Sequence, residues 1–239
     1  FGYKGLGENG SFFQPVPLVE TSFDYQNTEL FYNGKKLNVT FGKDYSVNIR
    51  RANSDITLSL SAVAVGSGVM GSYLPEDVKN KAIIRFDAPN DTTAEHRFVR
   101  NGLIRSGAKI VINVIEDAKR ADSLITTYNQ FTSDVRMTLD NGGAENDPLV
   151  YILTTVKLLN EIAQIEGSKV ARNGKVTFKS NFEIRLKAKL KKIASKNVVA
   201  FLKGTDPVLS SEYVGYGAHL DHIGVIDGVV HNGADDDGS

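Results

Sequence analysis

No cysteine occurs in this sequence. Disulfides, thiolate metal ligands and thiol nucleophiles are excluded together, so any metal must rest on His, Asp and Glu. A surplus of either charge is also missing: 28 Lys and Arg stand against 28 Asp and Glu. Without a basic field there is no electrostatic footprint for nucleic acid or an anionic membrane, and neither is expected as a partner. No apolar run approaches the roughly 18 to 20 residues that cross a bilayer, so no membrane span is expected. The opening "FGYKGLGENGSFFQPVPLVE" has no charged start leading into an apolar stretch, and does not read as a signal peptide. Internal repeats and low-complexity tracts are absent. Histidine is scarce, with four in 239 residues, yet His219, His222 and His231 crowd towards the end.

What is present is 41% hydrophobic residues, enough to bury a core as one large domain or two modest ones. Phe13 to Val19 reads as a strand. From Tyr32 the pattern turns to short alternating segments, "KKLNVTF", "YSVNI" and "DITLSLSAVAVGSGVM", which are β-rich and punctuated by Gly, Asn and Asp. Lys81 to Phe86 reads as a buried strand. Thr92 or Thr93 can cap a helix whose apolar positions Phe98, Leu103 and Ile104 recur at helical spacing and which Gly107 ends. His96 is expected on the solvated side of that helix. Ile110 to Ile115 follows as a strand, giving a strand, helix, strand unit within a β-rich domain. The strand "LVYIL" then leads into a helix from about Thr155 to Glu166. Phe182 to Leu190 alternates as a strand, and "NVVAFLKG" and "YVGYGAHL" read as short strands around the turn "GTDPVLSSE". The basic run "RLKAKLKKIASK" is expected to be the solvated face of an edge strand.

The last residues, "GAHLDHIGVIDGVVHNGADDDGS", carry the chemistry. At a strand end, His219 is a ready zinc ligand, and Asp221, two residues on, can accept from its other ring nitrogen and fix the tautomer. "GADDDGS" packs three carboxylates between glycines, which repel one another unless cations or backbone donors neutralise them. Two divalent ions bridged by one of these carboxylates would activate water and steady a tetrahedral intermediate. The competing reading of the run alone is a solvated turn with Asp and Gly chosen for backbone reasons.

Together, "GAHLDHIG" and then "NGADDDGS" resemble the signature of the co-catalytic zinc aminopeptidases that include bacterial leucyl aminopeptidases and relatives of glutamate carboxypeptidase II. "GENGSFFQPVPLV" looks like that family's segment before its inserted domain, and "NVVAFLKGTDP" like the strand and turn before its first metal histidine. Residues 73 to 170 are similar to the protease-associated domain inserted there. The resemblance implies an α/β fold: a partial phosphorylase/hydrolase-like zinc peptidase sheet with an inserted β-rich protease-associated domain. Its expected parts are an N-terminal peptidase segment at 1–31, the inserted domain at 32–178, and the start of the zinc peptidase domain at 179–239.

The same resemblance implies two zinc ions in the complete enzyme, with His219 a ligand of one and Asp236 the bridge between both. Asp221 becomes the partner that orients His219. His222 and Asp237 are placed as possible pocket residues, and His231, Asp227 and Asp235 as structural. The implied activity is removal of N-terminal residues from peptides, in a secreted or periplasmic protein. Relative to the family the sequence looks cut at both ends, without the later ligands and general base, so the 239 residues are expected to be inactive by themselves. Two other functions fit the same resemblance: a non-catalytic, receptor-like or protein-binding module, and a single-zinc glutaminyl cyclase.

Overall fold

The computed structural model describes residues 2–87, 93–132, 135–140, 147–167, 174–219, 224–226 and 228–231. The chain begins with β1 (Lys4–Gly5), β2 (Phe13–Phe23), β3 (Glu29–Tyr32), β4 (Lys35–Lys36), β5 (Tyr45–Arg50) and β6 (Ile56–Val65). Helices and strands then alternate as α1 (Pro75–Val78), β7 (Ala82–Phe86), α2 (Thr93–Arg105), β8 (Ile110–Ile115) and α3 (Ala118–Thr132). β9 (Arg136–Leu139), β10 (Leu149–Thr155), α4 (Val156–Glu166), β11 (Lys175–Leu186) and β12 (Ala188–Val198) come next, and the end holds β13 (Ala200–Phe201), β14 (Gly224–Ile226) and β15 (Val229–His231). These divide into two compact units, Val16–Ser195 and, from the two ends, Phe1–Pro15 with Lys196–Ser239.

The larger unit is built on a mixed sheet in the order β4-β3-β11-β6-β7-β8-β10-β5. β6, β7, β8 and β10 run parallel, and β11, β3 and β5 pair antiparallel to their neighbours. β7 and β8 are apolar nearly throughout, "AIIRF" and "IVINVI", because a parallel sheet is covered on both faces. Period-two alternation sorts the side chains. Ala82, Ile84, Ile110, Ile112, Val150 and Ile152 join one core with Leu158 and Ile162 of α4. Ile83, Val111, Tyr151 and Leu153 join the other, with Val99 and Leu103 of α2 and Ala121 and Ile125 of α3. Each such Ile or Leu taken fully from water contributes about 1.5–3 kcal/mol. The sheet curls: Tyr45, at the start of one edge strand, donates its hydroxyl to the Thr28 carbonyl beside β3, 3.2 Å away.

The expected strand, helix, strand unit is present as β7-α2-β8. α4 has the expected start, with Thr155 Oγ1 accepting from the Lys157 N–H at 3.3 Å, and ends on Gly167 at φ +73°. β12 is the outer strand of a three-stranded sheet, β12-β2-β9, with its lysines in solvent as expected. The larger unit runs beyond 32–178 at both ends, because β2, β3, β11 and most of β12 belong to its sheets.

Three readings of the sequence need correction. α3 has no counterpart among the expected elements, although Ala121, Leu124, Ile125 and Tyr128 recur at helical spacing and Asp117 caps its start, accepting from the Arg120 N–H at 2.7 Å. The expected phase of α2 rests on Phe98, which is 68% exposed. The stripe that meets the sheet is His96, Val99 and Leu103, so His96 is not solvated but 4% exposed. In the smaller unit, the described residues hold two-stranded antiparallel pairs, β1 with β13 and β14 with β15, and the strand expected at "YVGYGAHL" is not among them. Glu212 to His219 joins no strand. Tyr213, Val214 and Tyr216 are all strongly exposed, with Gly215 and Gly217 between and beside them, and a segment without a neighbouring ladder or a face to bury cannot hold a strand.

Candidate functional site

Among the five candidate site residues only His219 is described; Asp221, His222, Asp236 and Asp237 lie outside the described residues. His219 is exposed and sits in the irregular segment after Tyr216 rather than at a strand end. The turn before it is fixed by Asp206, whose carboxylate accepts from the N–H groups of Val208 and Leu209 at 2.8 and 2.9 Å. Those two bonds, Leu209 first, hold the Asp206 carboxyl below the ordinary carboxylate value.

Between the two halves of the motif lies a hairpin that the sequence pattern also signals, through Asp-Gly between two valine-rich runs. β14 pairs with β15 through Gly224↔His231, Val225↔Val230 and Ile226↔Val229, and Gly228 takes φ +80°. Because Gly224 faces His231, the chain enters and leaves the hairpin at one end. His219 precedes that end by five residues and Asp236 lies five beyond it.

Among the described residues no group of three or more His, Asp or Glu could hold a metal ion. The chemistry of the donor set is nevertheless of the kind zinc accepts, an imidazole with carboxylates and no competing thiolate anywhere in the chain.

A second polar constellation, which the spacing of residues along the chain does not reveal, lies in the larger unit at the carboxyl ends of β7 and β8. Arg85 and Asn113 are register partners on the sheet face that α2 and α3 cover. Asp87 comes just after β7, His96 from α2 and Arg120 from α3. The Asp87 carboxylate meets His96 Nε2 at 2.6 Å, Arg120 Nη1 at 2.9 Å and Arg85 Nη2 at 3.5 Å. His96 Nε2 also lies 2.9 Å from Arg120 Nη2, and its Nδ1 faces the Asn113 amide at 3.5 Å. Arg85 Nε also donates to the Ser67 carbonyl at 2.9 Å. The Asp87 and Arg85 side chains are 2% and 1% exposed, so this cluster offers nothing to an outside substrate. Its effect is to tie β7, α2 and α3 together around one buried carboxylate.

No family model matches the chain, and no curated protein matches it. Among solved structures it is similar to an aminopeptidase from Aneurinibacillus sp. strain AM-1, with 18% identity and a TM-score of 0.35, over 82% of this chain and 39% of that one. It is similar also to a zinc aminopeptidase from Bacillus subtilis, with 12% identity and a TM-score of 0.34, over 77% of this chain and 35% of that one. The chain therefore spans well under half the length of either protein.

Proposed function

We propose that the protein carrying this sequence is a zinc-dependent exopeptidase that removes N-terminal residues from peptides, in a secreted or periplasmic setting. The observation that carries the reading is the ordered pair "GAHLDHIG" and "NGADDDGS" at the end of the sequence. The hairpin between them supports it, since Gly224 pairs with His231 at its open end, five residues after His219 and five before Asp236 in the sequence. In this reading His219 and Asp236 hold zinc, Asp221 orients the His219 ring, and His222 and Asp237 line the pocket. Zinc, when bound, supplies a water acidic enough to act as hydroxide near neutral pH. Residues 32–178, within the larger unit, are read as the protease-associated domain inserted into the peptidase.

The full-length protein tests this. Its zinc content by elemental mass spectrometry and its hydrolysis of leucine p-nitroanilide should both fall to background in His219→Ala and Asp236→Ala. Asp221→Asn should weaken zinc affinity by about 10- to 100-fold, the usual cost of removing a carboxylate that orients a metal histidine. A full-length protein that takes up no zinc, or whose two ligand variants keep zinc and activity, would overturn the proposal.

A further inference from the structure

Three arginines converge on a cleft in the larger unit where α2 and α3 pack beside β5. The cleft has a volume of about 480 Å³ and is lined by Asn48 and Arg50 of β5, Arg97 and Arg100 of α2, and Thr127 and Tyr128 of α3. The sequence places them there simply. Asn48 and Arg50 are two apart on a strand and share its face, and Arg97 and Arg100 are three apart on a helix and share its side. Elsewhere in this unit, Arg85 and Arg120 meet Asp87, and Arg185 meets Glu183. Among the described residues, none of Arg50, Arg97 and Arg100 forms an ion pair. The accumulation is local, because the chain as a whole is neutral.

Arg100 is the centre of the group. It is half-buried and lies over the Tyr151 ring, with its guanidinium carbon 5.2 Å from the ring centroid, which holds the fork in place. Burial first, and then repulsion from Arg50 and Arg97, hold its guanidinium below the ordinary arginine value. Beneath it a narrow cavity of about 10 Å³ shares Asn48, Arg50 and Arg100 with the cleft and reaches Tyr151. The Tyr151 hydroxyl is buried without a hydrogen-bond partner. Three like charges lining one concavity cost the fold stability, and a bound anion relieves that cost.

We propose that this cleft binds a phosphoryl group, as a phosphate ester or an inorganic polyphosphate. Guanidinium forks match phosphoryl oxygens two at a time, and three fixed positive charges suit a group carrying two or more negative charges better than a single carboxylate. Asn48, Thr127 and Tyr128 supply neutral hydrogen-bonding groups at the rim. The inference does not depend on the peptidase reading, since every residue it uses lies within Val16–Ser195.

The test is isothermal titration of the protein with sodium pyrophosphate and, separately, with phenyl phosphate, at low ionic strength. One saturable site per chain is expected, and which probe binds more tightly separates inorganic polyphosphate from an ester. Arg97→Gln and Arg100→Gln should each weaken binding at least about tenfold, the range of a lost charge-assisted hydrogen bond. Arg50→Gln and Arg97→Gln change exposed side chains, and circular dichroism checks that they fold even if Arg100→Gln does not. Arg105→Gln removes the same charge from α2 outside the cleft and should leave binding unchanged. No saturation by about 10 mM of either probe, equal binding of sodium sulfate, undiminished binding in Arg97→Gln, or an equal loss in Arg105→Gln would each overturn the proposal.

Discussion

Replacing Asp87 by Asn keeps the side-chain volume and removes a negative charge that faces Arg85, His96 and Arg120. Burial sets the size of the effect. If these groups behaved as a surface pair, the loss would be about 0–1 kcal/mol. Arg85 and Asp87 are almost wholly out of water, whereas Arg120 is 24% exposed and partly rehydrates when its partner is lost. Breaking a buried pair by removing one partner costs about 3–5 kcal/mol, because the remaining charge stays buried without compensation. The Asn oxygen can still accept one hydrogen bond, so we expect a loss near the lower end, about 3 kcal/mol. Against a total of about 5–15 kcal/mol for a domain, that is a large fraction. For a unit of this size it lowers Tm by about 6–12 °C. Urea unfolding monitored by far-UV circular dichroism, with the slope checked for two-state behaviour, measures it directly. A loss below about 1 kcal/mol would refute the argument that the cluster is a dry clamp. Replacing Arg85 and Asp87 together by leucine should cost less than Asp87→Asn alone, since no buried charge is left without its partner on β7.

Acid should weaken the larger unit in a definite window. Hydrogen bonds from Lys187 and then the Ala188 N–H lower Asp55 from its ordinary 3.8, and Lys175 and then the Leu74 N–H lower Asp77 likewise. Both carboxyls have folded values below their unfolded ones, so their contribution is complete above about pH 4 and is lost as pH falls through the folded values. Stability measured from about pH 5 down to about pH 2 should fall, and Lys187→Ala should flatten part of that fall; a pH-independent stability would contradict the assignment. At the other end, burial first raises Tyr45 from 10.0 to about 12, helped by the Asp44 charge and opposed by its hydrogen bond to Thr28. A folded value above the unfolded one means that this contribution is complete below about pH 10 and is lost between about pH 10 and 12. Tyr45→Phe should reduce that limb of the pH profile, to which the raised Tyr32 and Tyr151 also contribute, and ultraviolet difference absorbance should show one fewer late-ionising tyrosine.

Most of the larger unit is legible in the sequence because its physics is local. The runs that form β7, β8 and β10 are apolar and short, and Gly107 and Gly167 close their helices at positive φ. The Thr155 cap announces α4 one residue before it begins. α3 is hard to read because its apolar positions are spread through "AKRADSLITTYNQFT", where Lys, Arg, Asp, Ser and Thr dilute the stripe. The strand expected at "YVGYGAHL" fails for the opposite reason: alternating valines and aromatics look like a strand, but pairing decides whether they are one. At the candidate site, spacing supplies residue types and order, and the described residues place only His219.

The buried cluster shows where single-sequence reading loses its grip. Arg85, Asp87, His96, Asn113 and Arg120 come from two strands, the end of one of them and two helices. Taken singly, each is a residue type that belongs on a surface. They become a core only because β7 and β8 hold Arg85 beside Asn113 in register, and because α2 and α3 lie on the same face. Once Asp87 is fixed there, the imidazole of His96 reaches it from α2, and that contact sets the rotation of α2 that Phe98 contradicts. The phase of a helix is usually set by its apolar stripe; here a polar residue completes the stripe. The rotation that buries His96 also carries Arg97 and Arg100 round to the cleft beside β5. A variant that frees His96 from Asp87 should therefore disturb anion binding at the arginines as well as stability, which links the two measurements.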